Sequence, residues 1–318
     1  MTRPVSLIVS SYDQLDFLRL AVDSALSQTV PFHEVIVVDD ASPDGGATMR
    51  YLRALERRST HLIVLEHDEN QGLGAVRNTG MDRASGDYVA FLDGDDWLEP
   101  DAHARMTELV ADAPDLVLYN FNRLQVEGID GARTETRHPL FDEGPLSLGD
   151  PQTDADRARL MYMMPSMWAR LHRVGFLRQH GFTFEQRIYE DLPWHHREIL
   201  LARTIRVSDA RLVNYRVHEG STLRTRSDRH FLLIDAFERA ADGFDDTDDV
   251  SPEMREAFRK HRFDLLSVIL LLRKVIPEDR QTEYAGRVLA VSGITGFPLT
   301  ERQAAWHDAL QRIAGDIG

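Results

Sequence analysis

The run Tyr88-Val-Ala-Phe-Leu-Asp-Gly-Asp-Asp-Trp97 decides how this chain is read. Residues suited to a buried strand stop at three carboxylates, Asp93, Asp95 and Asp96, with Gly94 among them. A bare carboxylate is not buried without a partner, because removing an unpaired charge from water is prohibitive. These acids must meet solvent, a cation or both. Hard divalent cations such as Mg2+ and Mn2+ take oxygen ligands and commonly bind one or two carboxylates together with a substrate's phosphates. Two readings stand side by side: a metal–diphosphate site, or an acidic turn in which Gly94 supplies the bend.

Upstream of this run, apolar stretches alternate with helical patterns. Val5–Ser10, Glu34–Asp39 and His61–Glu66 read as strands, and helices are expected over Gln14–Gln28, Gly46–Arg58 and Gly72–Ala84. Downstream, a helix over Pro100–Asp112 leads to a strand over Leu116–Tyr119. Such alternation predicts βαβ units, a mostly parallel sheet between helices in an α/β fold. Ligands of open α/β sheets bind beyond the carboxyl ends of the strands. Here those ends carry Ser10-Ser-Tyr-Asp13, Asp39-Asp-Ala-Ser42, Asp68-Glu-Asn-Gln-Gly72 and Asp93-Gly-Asp-Asp96. Four polar strand ends on one rim mark that rim as the site.

From about residue 123 to 156 the pattern weakens into short extended pieces. Helical spacing returns over Asp154–Met164 and Pro193–Ala202, and Thr204–Val217 reads as strand. Beyond Thr222 the chain reads as all-helical, with helices over Asp228–Asp242, Pro252–Val275, Glu278–Val291 and Thr300–Ile313. The acidic stretch Asp242–Asp249 reads as a linker, since Phe244 and Thr247 stand where a calcium loop needs a ligand and its glycine. A boundary is placed near residue 222.

The chain has 318 residues and a formal net charge of -15. That charge argues against unspecific binding to nucleic acid, whose phosphates require clustered Lys and Arg. It has no cysteine, which removes disulfides, thiolate metal sites and thiol catalysis. Its apolar runs fall far short of the roughly 18 residues of a membrane span. The amino terminus enters a strand without a signal peptide's apolar core. The expected location is the cytoplasm, with membrane contact only peripheral, at the inner face of the plasma membrane.

Several constellations carry chemistry. Asp39 and Asp40 close the second strand, where paired acids accept hydrogen bonds from a nucleobase or ribose, or brace the next helix. Asn70–Gly80 puts two glycines at a helix entry and Arg77 further in, suited to a substrate phosphate or to a salt bridge with Asp39 or Asp93. The spacing matches neither a dinucleotide fingerprint nor a phosphate loop. Glu190 and Asp191 precede Pro193 and suit the first turn of a helix; the pair also supplies a candidate general base. His218 follows a strand and precedes Gly220-Ser221, where an imidazole could complete a metal shell. His195-His196 lacks the spacing of a metalloprotease helix and reads as surface or packing.

Taken in order, Val5–Asp13, Val35–Ser42, Asn70–Gly80, Tyr88–Trp97, Tyr189-Glu-Asp191 and Tyr215-Arg-Val-His218 resemble the inverting family 2 glycosyltransferases of the GT-A fold. The pairing of Tyr-Glu-Asp-x-Pro-Trp with Tyr-Arg-x-His-x-Gly-Ser is similar to enzymes that build bacterial wall, capsule and teichoic-type polymers. The resemblance implies a catalytic domain over 1–222, its nucleotide-sugar half about 1–122 and its acceptor half about 123–222, followed by a helical subdomain over 223–318. It implies a UDP-sugar donor and a glycan, polymer or lipid-linked acceptor. Asp39, Asp40, Ser10 and Tyr12 would form the nucleotide pocket, with Arg77 and Gly94 beside the nucleotide. Asp93 and Asp95 would be the metal-and-ribose motif for Mn2+ or Mg2+, His218 would complete the metal shell, and Asp191 would be the base oriented by Glu190. The helical tail would bind the acceptor, a membrane surface or a second copy of the chain. One departure is Asp13, where the family often has Asn, which exchanges a donor for an acceptor. The rival readings are a nucleotidyltransferase, which normally has a basic, Gly-rich loop after its first strand, and a non-catalytic binding module.

Overall fold

In the computed structural model, the strand that precedes the acidic turn is flanked by partners that explain its composition. The structure describes residues 3–126, 133–136, 153–185, 188–217, 225–245, 250–294 and 296–315. Strands β1 (Val5–Ser11), β2 (Glu34–Asp39), β3 (Leu62–Glu66) and β4 (Tyr88–Leu92) alternate with helices α1 (Leu15–Leu26), α2 (Ala47–Glu56) and α3 (Leu73–Arg83). β1 pairs in parallel with both β2 and β4, and β2 with β3. Strands covered on both faces need apolar side chains at every position, and every residue of β4 is buried. On one face Val5, Leu7 and Val9 join Val35, Val37, Ala90 and Leu92 against Leu18, Ala21 and Val22 of α1. On the other, Ile8 presses on Gly80 of α3, where a Cβ would lie 3.1 Å from Ile8 Cγ1.

The sheet then turns mixed. After the short β5 (Trp97–Leu98) and α4 (Ala102–Leu109) come β6 (Leu116–Val126) and β7 (Arg133–Thr136). Helix α5 (Asp154–Leu160), strand β8 (Arg170–Arg173), helices α6 (Val174–Gln179) and α7 (Asp191–Leu201) and strand β9 (Ile205–Val217) follow. The strand order is β3-β2-β1-β4-β8-β6-β9-β5, with β7 on β6. β8 is antiparallel to both β4 and β6, while β6 and β9 run parallel with a register shift at Asn120. β6 runs well past the expected Tyr119, because β9 supplies a backbone partner along its whole length. Strands β5 and β8 were not anticipated; two- and four-residue strands carry no readable periodicity.

The chain divides into two compact units. The first comprises Met1–Pro151, Ser166–Arg187 and Ala202–His218, and holds the sheet. The second comprises Gln152–Pro165, Ile188–Leu201 and Glu219–Gly318. The division therefore does not fall at one point near residue 222, since α5 and α7 pack with the carboxyl-terminal helices. Within the second unit, Arg157 of α5 donates to the Ile199 carbonyl of α7 at 2.6 Å. Helices α8 (Leu232–Asp245), α9 (Pro252–Ser267), α10 (Gln281–Ser292) and α11 (Glu301–Gly315) complete it. Ser251 caps α9 by accepting from the Met254 N–H, with Pro252 in the first turn. The expected long helix over Pro252–Val275 gives way at Val268 to a wider π turn that ends at Lys274 with φ +54°. Phe258, Leu266 and Ile269 of its apolar stripe are buried, and Leu272 is exposed. Phe244 stacks on Phe258 with ring centroids 4.4 Å apart. The last residues of the acidic linker, 246–249, lie outside the described residues.

Candidate active site

The carboxyl ends of β1, β2 and β4 converge on one rim, with Ser11 in register with Asp39, and Val9 with Leu92. At the tip of β4 the turn Asp93-Gly-Asp-Asp96 passes so close to β1 that a Cβ on Gly94 would collide with the Ser10 carbonyl oxygen and lie 2.7 Å from Gln14 Nε2. Glycine stands here because the turn packs backbone against backbone. The turn presents three acids in different surroundings.

Asp93 Oδ1 accepts from Arg77 at 3.1 Å and lies 3.5 Å from Ser10 Oγ. Burial raises its carboxyl above the usual range, and Asp95 pushes the same way, while Arg77 and Ser10 oppose. About a quarter of the side chain still meets solvent, which tempers that rise. Asp95 is half-buried, and its carbonyl oxygen accepts from Arg216 Nε at 2.8 Å. Asp96 is buried; its Oδ1 accepts the Arg216 backbone N–H at 2.8 Å, and among the described residues its Oδ2 has no hydrogen-bond partner. Burial, then Asp95 and Asp93, raise its carboxyl well above the ordinary value. When ionised, the three acids repel one another, a repulsion that a cation placed between them would relieve.

Two arginines hold this turn. Arg77, buried on α3, has its guanidinium 5.3 Å from the Phe184 ring and 5.8 Å from that of Phe91. Asn78 fixes the neighbouring segment by donating to the Phe184 carbonyl and accepting the Phe184 N–H, both at 2.8 Å. Arg216, at the end of β9, lies between Phe17 and Trp97 at 4.5 and 4.8 Å. Beside it Tyr215 stacks on Trp168 at 4.9 Å. Burial pushes the Tyr215 hydroxyl up to about 12, helped by Asp96 and Asp95.

Asp39 and Asp40 are placed on the rim as expected, but their oxygens already have partners. Asp39 accepts from Ser11 Oγ at 2.7 Å, Ser42 Oγ at 2.7 Å and Ser42 N at 3.0 Å. Asp40 pairs with His67 Nδ1 at 2.7 Å and accepts from Gln71 N at 2.9 Å and Gly72 N at 2.7 Å. An ionised carboxylate has about four acceptor positions, so each keeps roughly one beyond these braces. The helix-start role falls instead to Asp44, which accepts from Ala47 N and Thr48 N at 2.9 and 2.7 Å. Tyr12 is exposed at the rim, followed by Asp13 at φ +51°, whose N–H donates to Ser42 Oγ.

Glu190 and Asp191 fall in the second unit. Asp191 opens α7, two residues before the expected start; Pro193 is tolerated there because the first turn's N–H groups have no helical acceptors. Glu190 is buried, and Tyr189 before it is held at φ +63°, with its hydroxyl 2.6 Å from His230 Nδ1. A bulky residue in the left-handed region is uncommon and costs of order 1–3 kcal/mol. His218 lies outside the described residues.

Among the described residues Asp93 and Asp95 are the rim's candidate ligands. Their all-oxygen donor set and the orphaned Asp96 Oδ2 beside them fit a hard dication such as Mn2+ or Mg2+ completed by substrate phosphate. Sequence reading assigned no role to Arg216 or His67. Arg216 stood inside the Tyr215–His218 motif, whereas nothing local to His67 signals that it reaches Asp40 and, at 2.9 Å, Thr79 Oγ1.

Comparison with known proteins gives one picture. Glycosyl transferase family 2 matches residues 6–172, a span that takes in β1 through β8 and the acidic turn. The EpsH protein of Bacillus subtilis (strain 168) is 29% identical over 235 residues, 70% of this chain and 63% of that protein. The poly(ribitol-phosphate) beta-glucosyltransferase of Bacillus spizizenii is 25% identical over 217 residues, 64% of this chain and 31% of that protein. The chain thus spans less than two thirds of the length of these relatives. Among solved structures, S. aureus TarS residues 1–349 in complex with UDP-GlcNAc superposes with a TM-score of 0.69 at 19% identity, covering 98% of this chain and 88% of that one, a likeness of fold. Parallel strands ending in an acidic turn, under a family match that covers more than half of the sequence, assign the chain to glycosyl transferase family 2.

Proposed function

We propose that this chain transfers a sugar from a UDP-sugar to a hydroxyl of a cell-wall, capsule or teichoic-type polymer or a lipid-linked intermediate, with inversion and with the help of Mn2+ or Mg2+. The observation that carries the reading is the acidic turn Asp93–Asp96 at the carboxyl end of a parallel sheet, held by Arg77 and Arg216. The relatives named above act on or are bound to molecules of this class: one glucosylates poly(ribitol-phosphate), and TarS holds UDP-GlcNAc.

In this reading Asp95 and Asp93 hold the metal, with His218 as a third ligand. When bound, the ion neutralises charge gathering on the departing diphosphate. Arg77 sets the Asp93 carboxylate and adds positive charge near the phosphates. Ser10, Tyr12, Asp39 and Asp40 shape the nucleoside side, Asp39 and Asp40 mainly by fixing the loops on which the pocket is built. Asp191 takes the proton from the acceptor hydroxyl as it attacks the face opposite the leaving group, and Glu190 orients it. One carboxylate at the reacting carbon suffices, because the leaving diphosphate needs no proton; a glycosidase needs two.

Calorimetry with UDP, with and without Mn2+, followed by a screen of nucleotide-sugars for donor hydrolysis, tests the proposal. Tight UDP binding that needs the metal, and hydrolysis of at least one UDP-sugar, are the expected results. Metal-dependent UDP binding with no hydrolysis or transfer of any sugar would make the chain a binding module.

A further inference from the structure

The second unit holds a cluster of three buried histidines that the proposed function leaves unused. His195 and His196 are adjacent on α7, and His261 lies on α9, a separation of 65 residues from His196. His195 and His196 have no exposed surface and His261 is 6% exposed. One ring nitrogen or more from each lies within 4.8 Å of one from each of the others; no other His, Asp or Glu trio among the described residues meets that distance. The family resemblance assigned this pair no role, and its spacing alone suggested surface or packing.

Hydrogen bonds fix which nitrogens carry lone pairs. His196 Nδ1 lies 2.9 Å from the Leu192 carbonyl, which only accepts, so Nδ1 carries the proton and Nε2 the lone pair. That Nε2 lies 3.1 Å from His261 Nδ1, which must then be the donor, leaving His261 Nε2 as its basic nitrogen. His195 Nε2 lies 3.3 Å from the Met161 carbonyl, which makes Nδ1 the basic nitrogen of that ring. Burial lowers His261 to about 4, so it is neutral near pH 7. Neutral imidazole is the ligand form, and His195 and His196 each have one ring nitrogen bonded to a backbone carbonyl, the arrangement that orients metal-bound histidines. Phe237, Phe244 and Phe258 surround His196 with ring centroids 4.9–6.1 Å away. Buried Glu198, one turn beyond His195 on α7, accepts from Trp194 Nε1 at 3.0 Å.

We propose that His195, His196 and His261 form a structural site for one borderline-soft transition-metal dication of the Zn2+ class, which ties α7 to α9. Three imidazoles suit this class and not the hard ions expected at the acidic turn. Binding requires only that His261 exchange its ring proton from Nδ1 to Nε2 or rotate, freeing the His196 Nε2 lone pair for the ion. Because Glu190 and Asp191 stand at the head of α7, the ion would also hold fixed the helix that carries them.

The test uses the full chain, stripped with chelator, and Co2+ as a coloured stand-in for Zn2+. One equivalent should give the strong visible bands of a nitrogen-rich tetrahedral complex, which one equivalent of Zn2+ erases. The bands should persist in an Asp93→Asn, Asp95→Asn double variant and vanish in His261→Asn and His195→Gln. Bands absent from the unsubstituted chain, or unchanged in His261→Asn, would overturn the proposal. Should the histidine variants fold poorly, proton NMR of the cobalt-loaded unsubstituted chain decides: three exchangeable hyperfine-shifted imidazole N–H signals support the site, and none refutes it.

Discussion

Substitution of Gly94 by alanine tests whether the acidic turn is shaped by its approach to β1. The added methyl falls against the Ser10 carbonyl oxygen and 2.7 Å from Gln14 Nε2. The Gln14 amide can swing away, but Ser10 is the penultimate residue of β1, whose backbone is locked between β2 and β4. Carbon and its neighbours normally rest about 3.5–4 Å apart, so the turn must retreat by roughly 1 Å. Overpacking of that kind costs about 1–3 kcal/mol of stability. Displacement of a positioning group by about 1 Å can lower the rate by ~100-fold, which corresponds to roughly 2.7 kcal/mol in the barrier. The measurements are urea denaturation, Mn2+-dependent UDP binding by calorimetry and donor hydrolysis. As a control, Gly286→Ala places the same methyl in open space inside α10 and should stabilise by up to about 1 kcal/mol. Gly94→Ala with undiminished Mn2+-dependent UDP binding and an unchanged urea midpoint would refute the reasoning.

Asp191→Asn is expected to lower transfer by roughly 10²- to 10⁴-fold, the usual worth of a general base, while calorimetric UDP affinity stays the same; a variant with full transfer activity removes Asp191 from the mechanism. Arg216→Met keeps the backbone N–H bond to Asp96 but removes the guanidinium's bond to the Asp95 carbonyl and its positive charge beside buried Asp96; losing a hydrogen bond from a charged group should cost about 1.5–3 kcal/mol, read as a lower urea midpoint. Burial, with Arg170 and Arg77 nearby, holds His172 well below its ordinary value of 6.5. The unfolded chain therefore takes up this proton first as pH falls, and stability should decline below about pH 6.5. Denaturation midpoints between pH 7.5 and 5.5, roughly spanning that value, should fall less steeply in His172→Phe; an equal slope in both proteins would assign the pH dependence elsewhere.

Much of the first unit was legible along the chain because its information is local. Leu7–Val9, Val35–Val38 and Tyr88–Leu92 are apolar runs followed by polar residues, the composition expected of strands buried on both faces. For Arg77 the chain offered a substrate phosphate, Asp39 or Asp93 as partner, and only the fold selected Asp93. What escaped was short or distant. β8 has four residues and forms only because β4 and β6 stand ready on either side of it. Asp40 met His67, and Asp96 met the backbone of Arg216, 120 residues away.

The sequence by itself determined the parallel sheet, its polar rim, the acidic turn and the family, because each depends on residue order within one strand, turn or helix. Only the tertiary structure decided that Asp39 and Asp40 are braced by loop donors, that Arg216 secures the acidic turn, and that α7 packs with the carboxyl-terminal helices. It alone brought His195, His196 and His261 together. These outcomes depend on long-range closure, where hydrogen-bond satisfaction in a buried space selects partners that no local spacing records.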